Sequence, residues 1–214
     1  MNNPYSEARA TLVKKLEGEG VLLTPSILQA FRQVPRELFI SPPHRRQAYE
    51  DMALPLAPRQ TISQPYTIAV MLEFLSPQPG ESILEIGSGS GYVLALLSQI
   101  VGLQGKVFGV ELNPETVEGS EGVLKALKIN NVEVKAGDGK EGWPEKAPFD
   151  RILVSAACTH LYPAWETQLV PRGTIVAPIG GAAAQHLVKA RKTNGTIQEE
   201  VCPKGLFVFV PLRS

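Results

Sequence analysis

The sequence predicts an α/β fold: a doubly wound, mostly parallel sheet with an antiparallel C-terminal edge and an N-terminal helical extension. Two observations support this fold class. Between residues 83 and 179, short apolar segments alternate with helical ones, which is the pattern of βαβ units. Beyond that range, apolar segments follow one another without a helical segment between them, which favours antiparallel pairing. We expect one domain over residues 1–214, with residues 1–60 as a helical cap or wrap and residues 61–214 as the doubly wound core.

The composition limits the classes of function. A chain of 214 residues that is 43% hydrophobic can bury a full core, and its 21 basic and 21 acidic residues leave no net charge to recruit nucleic acid or a membrane surface. The apolar segments are too short to span a bilayer, and residues 1–10 lack the apolar stretch of a signal peptide. The two cysteines and three histidines show no metal-ligand spacing. We therefore expect a cytoplasmic protein without a metal site and without nucleic-acid or membrane partners. We also expect a monomer, although the composition does not indicate the oligomeric state.

Two helices and a proline-rich stretch are predicted before the core. Apolar residues at helical spacing indicate a helix over residues 6–17, with Ser6 as its N-cap. Thr24 and the proline after it predict the start of a second helix. Four prolines in residues 41–59 exclude a long helix there, so this stretch is expected to wrap one end of the sheet, to cover a ligand as a lid, or both.

A glycine-rich turn connects the first core strand to a helix. In residues 83–92, an apolar strand with Glu85 near its end is followed by glycines at 87, 89 and 91, and an apolar helix starts at Tyr92. Glycines allow positive φ and a close ligand, while the helix N-terminus presents free N–H groups. The spacing is not that of a dinucleotide fingerprint, since Tyr92 stands where the last glycine would be. A tight turn without a ligand explains the same residues. The neighbouring elements therefore have to decide between a ligand-binding loop and a simple turn.

Polar residues also follow the later strands. The strand over residues 106–112 contains Glu111, which is 20 residues after Gly91, the separation at which an acid accepts hydrogen bonds from ribose hydroxyls. The strand over residues 131–136 precedes Asp138, whose carboxylate can accept from an adenine amino group, although Asp before Gly also simply forms turns. Because the carboxyl ends of parallel strands meet at one edge, these residues predict a ligand site there. The remaining elements are predicted as follows: strands at 149–155, 174–179, 186–190 and 206–210, and a helix at 164–170.

Ser63 has two possible roles. It precedes an apolar helical segment over residues 68–75, with Pro65 in position for the first turn. A serine at this place can cap the helix or contact a ligand, and the pattern alone favours the cap.

Motifs along nearly the whole chain resemble the protein-L-isoaspartate O-methyltransferase family. The sequence around Ser63 is specific to that family, whereas the glycine turn resembles motif I of many Rossmann-like methyltransferases that use S-adenosyl-L-methionine (SAM). The motifs are VPRELF at 34–39, AYED at 48–51, QTISQPY at 60–66, LEIGSGSGY at 84–92, GDG at 137–139, GWP at 142–144, APFD at 147–150 and FVPL at 209–212.

The resemblance implies SAM-dependent methylation of the α-carboxyl of L-isoaspartyl residues in damaged proteins and peptides, with repair through a succinimide. It also reverses the preference for a cap, because the active-site serine of the family falls on Ser63. The implied acceptor contacts are Thr61, Ile62, Ser63 and Val210. The implied cofactor contacts are Gln64, Pro65, Tyr66, Thr67, Ile68, Glu85, Gly87, Ser88, Gly89, Gly91, Glu111, Leu112, Asp138 and Gly139.

The residue inventory agrees with this chemistry. A carboxylate is ionised at neutral pH and is itself the nucleophile, so the protein needs no general base and has only to align the reactants and exclude water. Two other functions stay open. One is a methyltransferase of the same fold that acts on a small acid, a peptide natural product or RNA. The other is a non-catalytic SAM-binding adaptor, which would be expected to lack Ser63 or the glycines, or to carry an added interaction segment. Cys158 and residues 159–165 depart from the family pattern on the acceptor side.

Overall fold

The structure is a computed structural model that describes residues 4–57, 60–193 and 196–213. No helix in these residues is both long enough and apolar enough to cross a membrane. The helices are α1 (Pro4–Gly18), α2 (Pro25–Gln33), α3 (Pro65–Leu75), α4 (Tyr92–Val101), α5 (Pro114–Ala126) and α6 (Pro163–Thr167). The strands are β1 (Leu54–Ala57), β2 (Gln60–Ile62), β3 (Ser82–Ile86), β4 (Lys106–Glu111), β5 (Val132–Ala136), β6 (Phe149–Val154), β7 (Leu169–Gly180), β8 (Gln185–Thr193) and β9 (Thr196–Phe207).

Seven strands form one sheet in the order β5-β4-β3-β6-β7-β8-β9. The pairings are parallel from β5 through β7, and the two pairings β7–β8 and β8–β9 are antiparallel. Helices α4, α5 and α6 lie between β3 and β4, β4 and β5, and β6 and β7, whereas only a few residues separate β7 from β8 and β8 from β9, which is enough only for antiparallel neighbours. The predicted doubly wound sheet with an antiparallel C-terminal edge is confirmed.

The strand order places a ligand site beside β3. From β3 the chain moves outward through β4 to β5, then returns to the other side of β3 as β6. In such sheets the loops at the carboxyl ends of the two central strands diverge and leave a crevice between them. The glycine turn after β3 and the end of β4 both lie at this crevice.

The apolar core lies on both faces of the sheet. One cluster joins α1, α2, α3 and α4 to the sheet, and the fully buried Leu16, Ile27 and Leu97 belong to it. A second cluster on the other face contains the fully buried Phe149 and Trp165. The N-terminal helices therefore pack on the same core as the strands, and burial of apolar surface holds them there.

Several predicted boundaries are wrong. The helix expected at residues 164–170 ends at Thr167, because the carbonyl of Gln168 accepts the N–H of Phe149 and Leu169 pairs with β6. The last strand starts at Thr196 and ends before Phe209 rather than covering residues 206–210. The first helix starts at Pro4, so Ser6 lies inside it and is not its N-cap.

The stretch over residues 41–59 has no α-helix within its described part, as its prolines predict. It contains a 3₁₀-helix over Pro42–Gln47 and strand β1, which pairs with β2 in a small antiparallel hairpin that the sequence did not predict. Thr24 is the N-cap residue of α2, but its hydroxyl donates to Glu73 on α3 at 2.7 Å rather than capping its own helix.

Candidate active site

A groove of about 600 Å³ lies at the carboxyl ends of β3 and β4, which is an ordinary size for a small-molecule site. A cavity of about 40 Å³ adjoins it behind the glycine turn. The predicted site residues that line the groove are Thr61, Ser63, Gln64, Tyr66, Thr67, Gly87, Gly89, Glu111, Leu112, Gly139 and Val210. Those that line the cavity are Thr61, Ile62, Ser63, Ile68, Glu85, Gly87, Ser88 and Gly89. Pro65, Gly91 and Asp138 line neither.

The glycine turn leaves room for a ligand at Gly89. Its φ of +51° favours glycine, and a Cβ built there would meet only the Leu56 side chain of β1, at 3.5 Å. Leu56 of β1 therefore lies beside this turn, and the lid stays a prediction. Gly91 has a different role, because a Cβ there would lie 3.1 Å from Ser120 on α5. The structure gives Gly91 a packing role between α4 and α5 instead of a place on the groove.

Glu111 is buried at the end of β4 and is held by three donors. Its Oε2 accepts the N–H of Gly89 at 3.0 Å, and its Oε1 accepts the N–H of Asn113 at 3.0 Å and the Gln60 side-chain amide at 2.9 Å. A carboxylate has about four acceptor positions, so at least one stays available for a ligand hydroxyl. Gln60 also accepts from Thr116 at 3.1 Å, and in this way it ties β2 to α5 across the groove.

Glu85 is a buried acid with a free oxygen. Its Oε1 accepts from the Ser155 hydroxyl at 2.7 Å, while its Oε2 has no hydrogen-bond partner among the described residues. Burial raises the pKa of Glu85 to about 8; the Ser155 hydrogen bond opposes this rise and the nearby Glu111 adds to it. Ser88, which lines the same small cavity, also has a buried hydroxyl without a partner among these residues. Burying polar oxygens without hydrogen-bond partners lowers the stability of the folded protein, so the cavity suits a ligand that brings a cation or N–H donors.

Ser63 does not cap α3. The N-cap residue is Gln64, the helix starts at Pro65, and the side chain of Gln64 does not cap it. In the described part of the chain the Ser63 hydroxyl makes no hydrogen bond, and Ser63 lines both the groove and the cavity. The interpretation of Ser63 as a helix cap is wrong, and its hydroxyl is available for a ligand.

The loop after β5 borders the groove through Gly139. A Cβ on Gly139 would lie 2.6 Å from the Ile86 side chain, so only glycine fits there. The carboxylate of Asp138 accepts the N–H of Lys140 at 2.9 Å and caps the short 3₁₀-turn that follows. Trp165 is fully buried, and its indole N–H donates to the Gly139 carbonyl at 2.8 Å. Residues 159–165, whose sequence is unusual, thus end at a residue that fixes this loop.

The C-terminal segment forms the outer wall. The Val210 carbonyl accepts the N–H of Ala157 at 2.8 Å, which holds Val210 beside the end of β6. Leu206 and Val208 line the groove with 61% and 76% of their surface exposed. This apolar rim is open to solvent.

Sequence interpretation missed several residues that hold or line the site. Gln60 belongs to the motif QTISQPY, but no local pattern predicts its contact with Glu111, which joins residues 51 positions apart. Leu56, Lys204 and Arg213 line the groove as well, and no motif pointed to them. Neither periodicity nor strand-end position reports such contacts, because they form between distant parts of the chain.

Comparisons with known proteins identify relatives along most of the chain. A family model described as Protein-L-isoaspartate(D-aspartate) O-methyltransferase (PCMT) matches residues 7–214. Protein-L-isoaspartate O-methyltransferase 2 of Archaeoglobus fulgidus is 38% identical over 209 residues, covering 98% of this chain and 94% of that protein. The protein-L-isoaspartate O-methyltransferases of Aeropyrum pernix and Roseiflexus castenholzii are 42% and 43% identical, over 96% and 97% of this chain and 80% and 93% of theirs.

Solved structures share the fold. One described as a protein-L-isoaspartate O-methyltransferase has a TM-score of 0.86 and 30% identity; it covers 96% of this chain, which spans only 66% of that longer chain. A protein-L-isoaspartate O-methyltransferase from Plasmodium falciparum, in complex with S-adenosyl-L-homocysteine, has a TM-score of 0.84 and 24% identity, with 99% of both chains covered. The second likeness shows the fold. The family model and the sequence relatives show that this chain belongs to the protein-L-isoaspartate(D-aspartate) O-methyltransferase family.

Proposed function

We propose that the protein transfers a methyl group from SAM to the α-carboxyl of L-isoaspartyl residues in damaged proteins and peptides. Membership of the family supports this reaction and its class of substrate. The observation that carries the proposal is the Ser63 hydroxyl, which has no hydrogen bond within the described residues and lines both the groove and the cavity of Glu85. The backbone amide nitrogen of the substrate then attacks the methyl ester and displaces methanol, and the succinimide that forms begins the repair.

The residues of the groove suit SAM. The unpartnered Oε2 of Glu85 suits the ammonium of the methionine part, and the carboxylate of Glu111 suits the ribose hydroxyls. The space above Gly89 accepts a ligand close to the backbone. We assign the adenine to the loop of Asp138 and Gly139, of which Gly139 lines the groove. When bound, SAM supplies a methyl group on a sulfonium, which is an excellent leaving group.

The chain itself has to bind, orient and exclude water. The Ser63 hydroxyl donates to the acceptor carboxylate and fixes its orientation, while Thr61, Ile62 and Val210 form the walls of the acceptor end. The carboxylate is already ionised at neutral pH, so no side chain has to take a proton from it. The apolar rim of Leu206 and Val208 gives damaged proteins and peptides a surface to approach. The monomeric state and cytoplasmic location stay predictions, and light scattering on the purified protein tests the first.

Methyl transfer from labelled SAM tests the proposal with an isoaspartyl peptide and its normal aspartyl twin. We expect the isoaspartyl peptide to react on the order of a hundredfold faster, because a site shaped for its short arm misplaces the other carboxylate by about 1 Å. The label should leave in mild alkali, as an ester does. Label that resists alkali would contradict the reaction. Equal rates on both peptides would favour another acceptor, and SAM binding without any transfer would favour an adaptor.

A further inference from the structure

Arg36 is a buried cation for which the site described above has no use. It lies in a 3₁₀-helix over Arg36–Phe39, in the motif VPRELF, and its side chain is fully buried. None of the described carboxylates forms an ion pair with it, and its Nη1 atom has no hydrogen-bond partner in the same part of the chain. Burial lowers the pKa of Arg36 to about 10, so the guanidinium stays protonated at neutral pH. A buried charge without a counter-ion opposes folding, and a role in the reaction would account for its presence.

The Arg36 side chain joins three parts of the molecule. Its Nε donates to the carbonyl of Ala48 at 2.9 Å, and its Nη2 donates to the carbonyl of Ser63 at 2.9 Å. Its guanidinium carbon lies 5.0 Å from the centroid of the Tyr92 ring, and Tyr92 is the first residue of α4 after the glycine turn. One planar side chain therefore connects the N-terminal extension to Ser63 and to the helix behind the cofactor loop.

Asp51 holds the other end of the same segment. Its Oδ1 accepts the N–H of Tyr66 at 2.9 Å, and its backbone carbonyl accepts the Gln64 side-chain amide at 2.9 Å. Its Oδ2 accepts from Lys15 on α1, also at 2.9 Å. Residues 63–66 are thus attached to the N-terminal extension at both ends, by Arg36 and by Asp51.

We propose that Arg36 and Asp51 are positioning residues for methyl transfer, which fix residues 63–66 so that the Ser63 hydroxyl faces the acceptor carboxylate. This inference rests on the function proposed above. The hydroxyl has no hydrogen bond of its own within the described chain, so its position depends on the backbone that Arg36 and Asp51 hold. A displacement of about 1 Å costs on the order of a hundredfold in rate, so the attachment matters for turnover.

The variant Arg36→Lys tests the role of the guanidinium. Lysine keeps the charge but lacks the planar fork that reaches two carbonyls at once. We expect kcat/KM for the isoaspartyl peptide to fall about ten- to a hundredfold, mainly in kcat, and SAM affinity to fall much less, because Arg36 holds Ser63 directly and the cofactor contacts that follow it only indirectly. A matched control is Arg151→Lys, because Arg151 pairs with Glu81 at 2.6 Å and donates to the Leu75 carbonyl at 2.6 Å away from the groove. The control should lose stability without losing turnover.

A double-mutant cycle separates positioning from general damage. If Arg36 acts through Ser63, adding Arg36→Lys to a Ser63→Ala variant should lower kcat/KM by no more than about twofold. Fully additive losses would overturn the inference, and so would a normal kcat/KM in the single variant or a parallel loss of SAM affinity.

If the Arg36 variants do not fold, variants of Asp51 test the positioning role instead. Asp51→Ala removes the acceptor of the Tyr66 N–H, whereas Asp51→Asn keeps an oxygen at that place and loses the charge and the hydrogen-bond acceptor on the side of Lys15. We expect a loss of at least about tenfold in kcat/KM for the alanine variant and substantial rescue in the asparagine variant. Equal activities of both variants would refute the positioning role. A wild type that does not methylate the isoaspartyl peptide would instead refute the proposed function.

Discussion

Replacing Glu85 with Gln should stabilise the ligand-free protein and weaken SAM binding at the same time. Gln has nearly the same shape, and its amide can keep the contact with Ser155. It removes a buried acid whose Oε2 has no partner among the described residues. The same oxygen is the one we assign to the ammonium of SAM. Its cost to folding and its use in binding therefore come from one atom.

The size of the effect follows from the pKa. Burial, the first cause, raises the pKa of Glu85 from 4.5 to about 8. Between these values the folded protein holds a proton that the unfolded chain has lost, so the free energy of unfolding falls as pH rises from about 4.5 to about 8. The full contribution is present below 4.5 and is lost above 8; the difference of about 3.5 sets an upper limit of about 5 kcal/mol. In Glu85→Gln this part of the pH dependence should disappear.

Urea unfolding at pH 5, 6.5 and 8 without ligand measures the first effect, and calorimetry with SAM measures the second. Loss of a charge-assisted contact should weaken SAM binding by about 1.5–3 kcal/mol, or roughly ten- to a hundredfold. Glu118→Gln on the exposed side of α5 is the matched control and should change neither. The reasoning fails if Glu85→Gln keeps the pH dependence of the wild type, or if it binds SAM equally well.

Three further changes test the other parts of the site and fold. Ser63→Ala should lower kcat/KM about ten- to a hundredfold in steady-state assays, because it removes one donor to a charged group. The melting temperature should stay constant, because Ser63 does not cap α3. A lowered melting temperature with normal turnover would contradict this prediction. Glu111→Ala should weaken SAM binding by about 1.5–3 kcal/mol in calorimetry, and unchanged affinity would refute the ribose assignment. Glu73→Ala should lower the free energy of unfolding, measured by urea denaturation, by about 1–2 kcal/mol, because Glu73 accepts the N–H groups of Leu23 and Thr24 at the start of α2. A loss of turnover without a loss of stability would contradict this structural role.

The sequence by itself determined the fold class and the place of the cofactor site. A strand, a glycine turn and a helix follow one another over residues 83–92, so their geometry is decided by neighbouring residues. The position of Glu111 at the next strand end is equally local, and the parallel pairing of β3 with β4 brings it to within 3.0 Å of the Gly89 N–H. Local pattern and sheet topology were enough for this much.

Only the tertiary structure decided what each side chain in the site does. Ser63 has the sequence of a helix cap, yet α3 starts two residues later and leaves its hydroxyl free of hydrogen bonds in the described chain. Gly91 belongs to the glycine motif, yet it packs against Ser120 on α5. Arg36 reaches the carbonyl of Ser63, which is 27 residues away. Such contacts depend on how separate elements pack, and neither residue periodicity nor motif spacing carries that information, because both describe only neighbours along the chain.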